Sequence, residues 1–414
     1  MTAVRAVVAQ IGSREHFLIP RALHRRGALV RLLTARYAPF GGGFADRLAQ
    51  SRWKPVARVF AARHDELQRN LVTTLTLWDV AQRVWGPFRR EWRSHYQSSI
   101  LAGTAFARRV ARLRLPAHNV LIAYSYAALE LVEAERARGV FTVVDQIDPA
   151  QVEYEMVREE ARRWPDFVMP PEEAPTEYFG RVRAEWDRAH LVVVNSEWTR
   201  EALLSQGVPA EKLEVMPLAY EPPVPLPRPS MPPFRPLQVL WVGSANIRKG
   251  IHYLLQAAEM LQHEPLEITV AGTIGIRPER VRKAPGNIRW LGPVPRGRVD
   301  ALYRSHHVFV LPTLSDGFAI TQLEALAIGL PVIVTPNCGR VVHDGETGFV
   351  IPPRDASALA DAIKRFVRDP TLVSYMAPRC IAAAQKYTVD TYARRLLRII
   401  ERRMMACPDL SAVT

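Results

Sequence analysis

Between Tyr220 and Pro236 the chain carries eight prolines, in the run EPPVPLPRPSMPPFRP. Proline fixes φ and has no backbone N–H, so this stretch can be neither a helix interior nor a central strand. It divides the chain into two parts that must each build a core, and 414 residues at 48% hydrophobic suffice for that. Both parts show one rhythm. In the first, aliphatic runs at 5–10 and 28–34 flank a helix-like stretch at 17–26, and further runs follow at 120–123, 140–144, 191–195 and 213–216. In the second, runs at 238–242, 266–271, 288–291, 308–311 and 331–334 alternate with helical spacing, as at 251–261, where Ile251, Leu254, Leu255 and Ala258 share a face. Short apolar strands alternating with helices predict an α/β protein with parallel, doubly wound sheets. The boundaries expected are 1–219, a linker at 220–236, 237–385, and a terminal segment 386–414.

Cys338, Cys380 and Cys407 are widely spaced and form no ligand pair, so neither a disulfide framework nor a zinc site is expected, as suits a reducing cytoplasm. The opening MTAVRAVVAQIG reads as a first strand and not as a signal peptide, and no run approaches the ~18 apolar residues of a membrane span. Charge is lopsided. Residues 1–120 hold 21 Lys+Arg against 6 Asp+Glu, whereas the rest is near balance at 34 against 35. A basic first part seeks an anionic partner, such as a phosphorylated acceptor or an anionic membrane surface. Nucleic acid is the weakest candidate, because no reading module is recognisable.

The stretch from Leu311 to Thr335, LPTLSDGFAITQLEALAIGLPVIVT, reads as strand, acidic glycine turn, helix and buried strand. Asp316 falls in the turn and Glu324 just over one turn into the helix. Free N–H groups at a helix start suit phosphate, and carboxylates nearby accept hydrogen bonds from hydroxyls. Together they suggest a sugar-nucleotide site. In VGSANIRKG, Arg248 and Lys249 precede another helix, with Gly243 and Gly250 permitting close backbone approach. Two cations there can neutralise a departing diphosphate.

The run DGFAITQLEALAIGLPVI, with VGSANIRKG, IRWLGPVP and VVHDGETGFVIPPRD, resembles the acidic-x7-Glu signature of the large retaining glycosyltransferase family numbered four, also called glycosyl transferases group 1. The resemblance implies a GT-B fold: two Rossmann-like domains facing across a cleft, the first for the acceptor and the second for the donor, with a terminal helix crossing back. It further implies catalytic roles for Arg248, Lys249, Asp316 and Glu324, with Glu324 on the ribose hydroxyls and Asp316 on the sugar. Donor contacts are expected from Gly243, Ser244, Val294, Gly317, Phe318, Ala319 and Ile320, including the N–H groups of Gly317, Phe318 and Ala319. Ser244 stands where the family usually has Arg, leaving Arg248 to supply that charge, and Asp316 stands where Glu is commoner. No metal site and no cofactor are expected, only a co-substrate such as a UDP- or GDP-sugar.

The acceptor side is written less plainly. Its candidates are Gly12, Ser13 and His16 in the first loop, Tyr124 and Ser125 in AYSYA, and Asp145 and Gln146 in VVDQIDP. Trp78, Trp85 and Trp92 recur every seven residues among Arg83, Arg89, Arg90 and Arg93, which suits either a membrane interface or a core. The expectation is a retaining hexosyltransferase-like enzyme acting on a glycan or lipid-linked acceptor for envelope or exported polysaccharide, cytoplasmic or peripheral at the inner face of the inner membrane. Two rivals share the architecture: an epimerase or phosphorylase-like enzyme, and a non-catalytic protein binding sugar nucleotides or polyanions.

Overall fold

A computed structural model of the protein describes residues 3–35, 37, 64–75, 94–168, 172–222 and 236–407. The tryptophan stripe, with Arg83, Arg89, Arg90 and Arg93, and most of the proline run lie outside the described residues. The first sheet contains β1 (Ala6–Gln10), β2 (Leu29–Thr34), β3 (Val72–Thr74), β4 (Val120–Tyr124), β5 (Phe141–Gln146), β6 (Leu191–Val194) and β7 (Leu213–Val215). The second contains β8 (Leu237–Val242), β9 (Leu266–Ala271), β10 (Ile288–Gly292), β11 (Val308–Leu311), β12 (Val332–Val334) and β13 (Gly348–Val350).

Their orders are β3-β2-β1-β4-β5-β6-β7 and β10-β9-β8-β11-β12-β13, and every neighbouring pair is parallel. Strands with helices on both faces bury both faces, which is why β1, β4 and β5 are buried from end to end. β3 and β13 are additions to the strands expected from sequence. Each has three residues at a sheet edge, VTT and GFV, too short and too polar or glycine-rich to register as an apolar run.

Strand order reverses between β1 and β4 in the first sheet and between β8 and β11 in the second. Such switch points open a crevice at the carboxyl ends of the strands. The loops after these strands carry most of the residues singled out above.

The final helix, Val389–Met405, starts on Thr388, whose hydroxyl accepts from Thr391 N–H at 3.2 Å. Its apolar face, with Val389, Tyr392, Ala393, Leu396 and Ile400, is buried, and it packs beside the Leu18–Arg25 helix of the first sheet's layer. Arg395 donates to the Val215 carbonyl at 2.8 Å and Arg403 reaches Glu214 at 2.6 Å. The chain therefore crosses back to its first half, as the GT-B arrangement requires. Among the described residues, no helix is long and apolar enough to cross a membrane.

Candidate functional site

β8 ends in a loop held by a contact within itself. Asn246 Oδ1 accepts from Lys249 N–H at 3.0 Å, and Gly250 caps the Ile251–Met260 helix with φ 77°. A Cβ on Gly250 would lie 1.8 Å from the Pro312 carbonyl oxygen, so only glycine lets this loop sit against the turn that follows β11. The two are laced together: Leu314 N–H and Thr313 Oγ1 both donate to the Arg248 carbonyl, at 2.9 and 3.1 Å.

This contact brings the cations to the acid. Lys249 Nζ pairs with Asp316 Oδ2, and the Arg248 guanidinium lies 3.5 Å from Asp316 Oδ1. Burial, reinforced by the positive charge of Arg248, holds the Lys249 ammonium down to about 7. The Asp316 N–H donates to the Asn337 carbonyl at 2.9 Å, fixing the turn before the Ile320–Ala327 helix. Glu324, on that helix, is only 6% exposed and accepts from the Tyr303 hydroxyl at 2.9 Å.

The opposite wall belongs to the first domain. After β1 the chain makes a left-handed turn, with φ of 50°, 53° and 60° at Glu15, His16 and Phe17. Non-glycine residues reach this region at a cost, which the surrounding packing must offset. The turn is anchored by fully buried Phe17. It lifts Arg14, Glu15 and His16 into a cleft of about 850 Å³, which Ile147, Asp148, Glu153, Asn195, Arg248, Asp316, Gly317, Phe318 and Ile320 also line. Beneath Glu15 lie Tyr124 of β4, donating to it at 3.4 Å, Asp145 of β5, and Tyr392 of the returning helix. Burial raises the Glu15 carboxyl to about 7 and pushes Asp145 well above its ordinary range, with the Glu15 charge adding to the latter.

The walls touch at Gly317. A Cβ there would come 2.1 Å from the Ile147 carbonyl oxygen, which also accepts from Asn195 Nδ2 at 2.9 Å.

Of the expected residues, the structure gathers His16, Arg248, Asp316, Gly317, Phe318 and Ile320 along the cleft, with Lys249 paired to Asp316. Several others lie elsewhere. The Ala319 N–H is already given to the Cys338 carbonyl at 2.9 Å, so of the three amides expected to face the donor this one is occupied. Gln146 accepts from Trp186 Nε1 at 2.9 Å and donates to the Asp148 carbonyl, which makes it a buried brace, and Ser125 is 5% exposed. Tyr124 and Asp145 form the floor under Glu15 and do not line the cleft. Gly12 turns with φ 79° and its carbonyl accepts from Gln10 Nε2, Ser13 is exposed just ahead of the left-handed turn, and Gly243, exposed Ser244 and half-buried Val294 lie beyond the cleft lining.

Sequence reading missed Arg14, Glu15, Asp148 and Glu153. Asp148 lies two residues beyond Gln146, the nearer of the two residues singled out in its segment, and its Oδ1 accepts from Tyr126 O–H, Gln146 Nε2 and Ala150 N–H. The signal for Glu153 was present as helical spacing: Glu153, Met156 and Glu160 fall on one face of the Gln151–Arg163 helix.

Residues 236–369 match the family model described as Glycosyl transferases group 1. The O-antigen chain mannosyltransferase B of Escherichia coli is 26% identical over a stretch covering 49% of this chain and 58% of that protein. The phosphatidyl-myo-inositol mannosyltransferase of Mycobacterium leprae is 30% identical over 39% of this chain and 46% of that protein. The chain thus spans about half the length of the curated relatives it matches. Among solved structures, Anabaena Alr3699/HepE in complex with UDP aligns with 96% of this chain and 100% of its own, at a TM-score of 0.58 and 15% identity, a likeness of fold. The second domain is thus similar to the glycosyl transferases of group 1, and the chain throughout has the GT-B fold of two α/β domains with parallel sheets.

Proposed function

We propose that this protein is a retaining glycosyltransferase of family four, which moves a sugar from a nucleoside diphosphate donor to a hydroxyl of a glycan or lipid-linked acceptor in envelope or exported polysaccharide synthesis. The observation that carries the reading is the convergence of Arg248 and Lys249 with Asp316 where the second sheet reverses, facing the first domain's switch point across one cleft.

In this reading Arg248 and Lys249 stabilise the diphosphate as it departs, a task that two fixed cations perform without a metal ion. Asp316 holds hydroxyls of the transferred sugar and Glu324 those of the ribose, while Gly317, Phe318 and Ile320 border the donor. The acceptor lies between the Arg14–His16 turn and Asp148. A donor phosphate oxygen takes the acceptor proton on the face from which the diphosphate leaves, so the residues need chiefly to orient two substrates and stabilise charge. The neighbour bound to UDP and the relatives named for mannosyl transfer to O-antigen and to phosphatidyl-myo-inositol support donor and acceptor classes of this kind. The basic first 120 residues support an anionic acceptor or an anionic membrane surface beside it.

Thermal-shift screening with UDP- and GDP-sugars tests the donor, since a ligand of the native state raises its apparent stability. The hit is then assayed for nucleoside diphosphate release with candidate acceptors, with and without a chelator. Release that needs an acceptor and survives chelation is expected. Release or donor isomerisation without any acceptor would favour the epimerase or phosphorylase-like reading, and binding without release under any condition would favour a non-catalytic protein.

A further inference from the structure

The Gln151–Arg163 helix of the first domain lies across the donor domain along one face. At its inner end Glu160 is fully buried and accepts from Trp164 Nε1 at 3.0 Å, from Tyr253 O–H and at 2.9 Å from His252 Nε2, while Arg354 lies 2.9 Å from its other oxygen. In the middle, Met156 packs with Tyr253, Leu314 and Ala356. At its outer end Glu153 enters the cleft. Its Oε2 accepts from Ser315 Oγ at 2.8 Å and lies 3.4 Å from Arg248 Nη1, and Ser315 Oγ in turn accepts from Trp198 Nε1 at 3.0 Å.

Arg248 is thus held on both sides by carboxylates, Asp316 from its own domain and Glu153 from the other. Its backbone is locked to the 313–315 turn, so a diphosphate that takes its guanidinium must compete for the side chain alone. An anion arriving at Arg248 also meets Glu153, whose carboxyl burial pushes up while the neighbouring Arg248 charge favours its ionised form, so the two groups hold their charges through each other.

We propose that Glu153 is the residue that sets donor affinity: it occupies Arg248 in the empty cleft as a stand-in for the donor's diphosphate, and donor binding must release it. This rests on the reading of Arg248 and Lys249 as the diphosphate site and adds a competitor from the opposite domain. Because Glu160 anchors the same helix two turns away, the release is a movement of the Glu153 side chain while the helix stays docked.

The test is calorimetric titration of the full chain with inorganic pyrophosphate, UDP and GDP. Glu153→Gln keeps a side-chain oxygen for Ser315 but loses the charge, and it is expected to bind the anions about tenfold more tightly than the parent protein. Glu160→Gln, on the same face, is expected to lower the melting temperature without tightening binding, and Arg248→Ala to weaken binding in either background. If the parent binds one of the probes and Arg248→Ala weakens it, but Glu153→Gln binds no more tightly, the proposal fails and the site assignment stands. If Arg248→Ala leaves binding of every probe unchanged, the diphosphate site itself is misassigned. A gain equal to that of Glu153→Gln in Glu160→Gln would show general loosening of the interface, and would overturn the specific role given to Glu153.

Discussion

The two walls of the cleft manage charge in opposite ways. On the wall proposed to take the donor, here the donor wall, Arg248 and Lys249 meet Asp316 and Glu153 at close range, so positive and negative groups are matched before any ligand arrives. On the wall proposed to face the acceptor, here the acceptor wall, acids are buried: Glu15 stands over Asp145, and behind the cleft Glu185, fully buried, accepts from Tyr126 N–H at 2.8 Å and Ala128 N–H at 2.9 Å to hold the turn after β4. Paired cations can exchange their carboxylates for an anionic leaving group, and burial, which holds Lys249 down to about 7, leaves that lysine ready to take up a proton as it does so. Buried acids favour their neutral forms, as a wall that orients a hydroxyl can use.

The sharpest way to break this contrast is at the cations. Lys249→Ala and Arg248→Ala are each expected to reduce turnover by roughly 10²–10³, the usual loss when a stabiliser of developing negative charge is removed. Steady-state rates near normal in both folded variants would remove the donor wall's role.

A second expectation concerns stability, read by thermal melts between pH 5 and pH 8. Burial raises the carboxyls of Glu185 and Glu15 from 4.5 to about 7. The folded state then holds more protons than the unfolded one, so their contribution is complete below about 4.5 and is lost as pH rises through about 7. For fully buried Glu185 the loss is on the order of 3 kcal/mol. Glu185→Gln should flatten that part of the profile, and an unchanged slope would show that the acid is paired after all.

Smaller effects sharpen the donor side. Glu324→Gln is expected to weaken nucleotide-sugar binding about tenfold by costing a charged acceptor its hydrogen bonds, as calorimetry would show. Lys249, at about 7 in the empty cleft with Arg248, Glu153, Asp316 and Cys338 around it, should gain a proton when a diphosphate binds. Affinity should then fall severalfold as pH rises from 6 to 8, with proton uptake visible as a dependence of the apparent binding enthalpy on buffer.

The least effect is expected from the basic charge of the first 120 residues: weak, salt-sensitive sedimentation with anionic vesicles, reduced by charge reversal at Arg89, Arg90 and Arg93. No binding at low salt would restrict the basic charge of the first 120 residues to the acceptor.

Legibility in the sequence followed the same division. The donor wall is built from two contiguous segments, each strand, loop and helix, so Arg248, Lys249 and Asp316 could be singled out together by reading along the chain, whereas Glu324, held by Tyr303 on the helix beyond, is not among the cleft-lining residues. The acceptor wall is assembled from residues far apart. Glu153 reaches Arg248 across 95 positions and Tyr124 reaches Glu15 across 109, distances at which local periodicity says nothing. The left-handed backbone of Glu15, His16 and Phe17 was hidden for another reason. No glycine or asparagine marks those three residues, and packing around Phe17, not local propensity, holds the conformation. The parallel sheets were readable because strands buried on both faces have no choice but to be aliphatic.

The returning helix bears on how this molecule is made. A ribosome delivers the first sheet's strands early and Val389–Met405 late, yet Tyr392 covers the floor beside Asp145, and Glu221, which accepts from Val389 N–H at 3.1 Å, also grips Arg25 at 2.7 Å. Nascent domains usually mature in the order they emerge. Here the domain that emerges first waits for a late helix, so the acceptor wall stays unfinished until Val389–Met405 has been translated, and a product halted at residue 388 would carry an intact donor wall opposite an unsealed one.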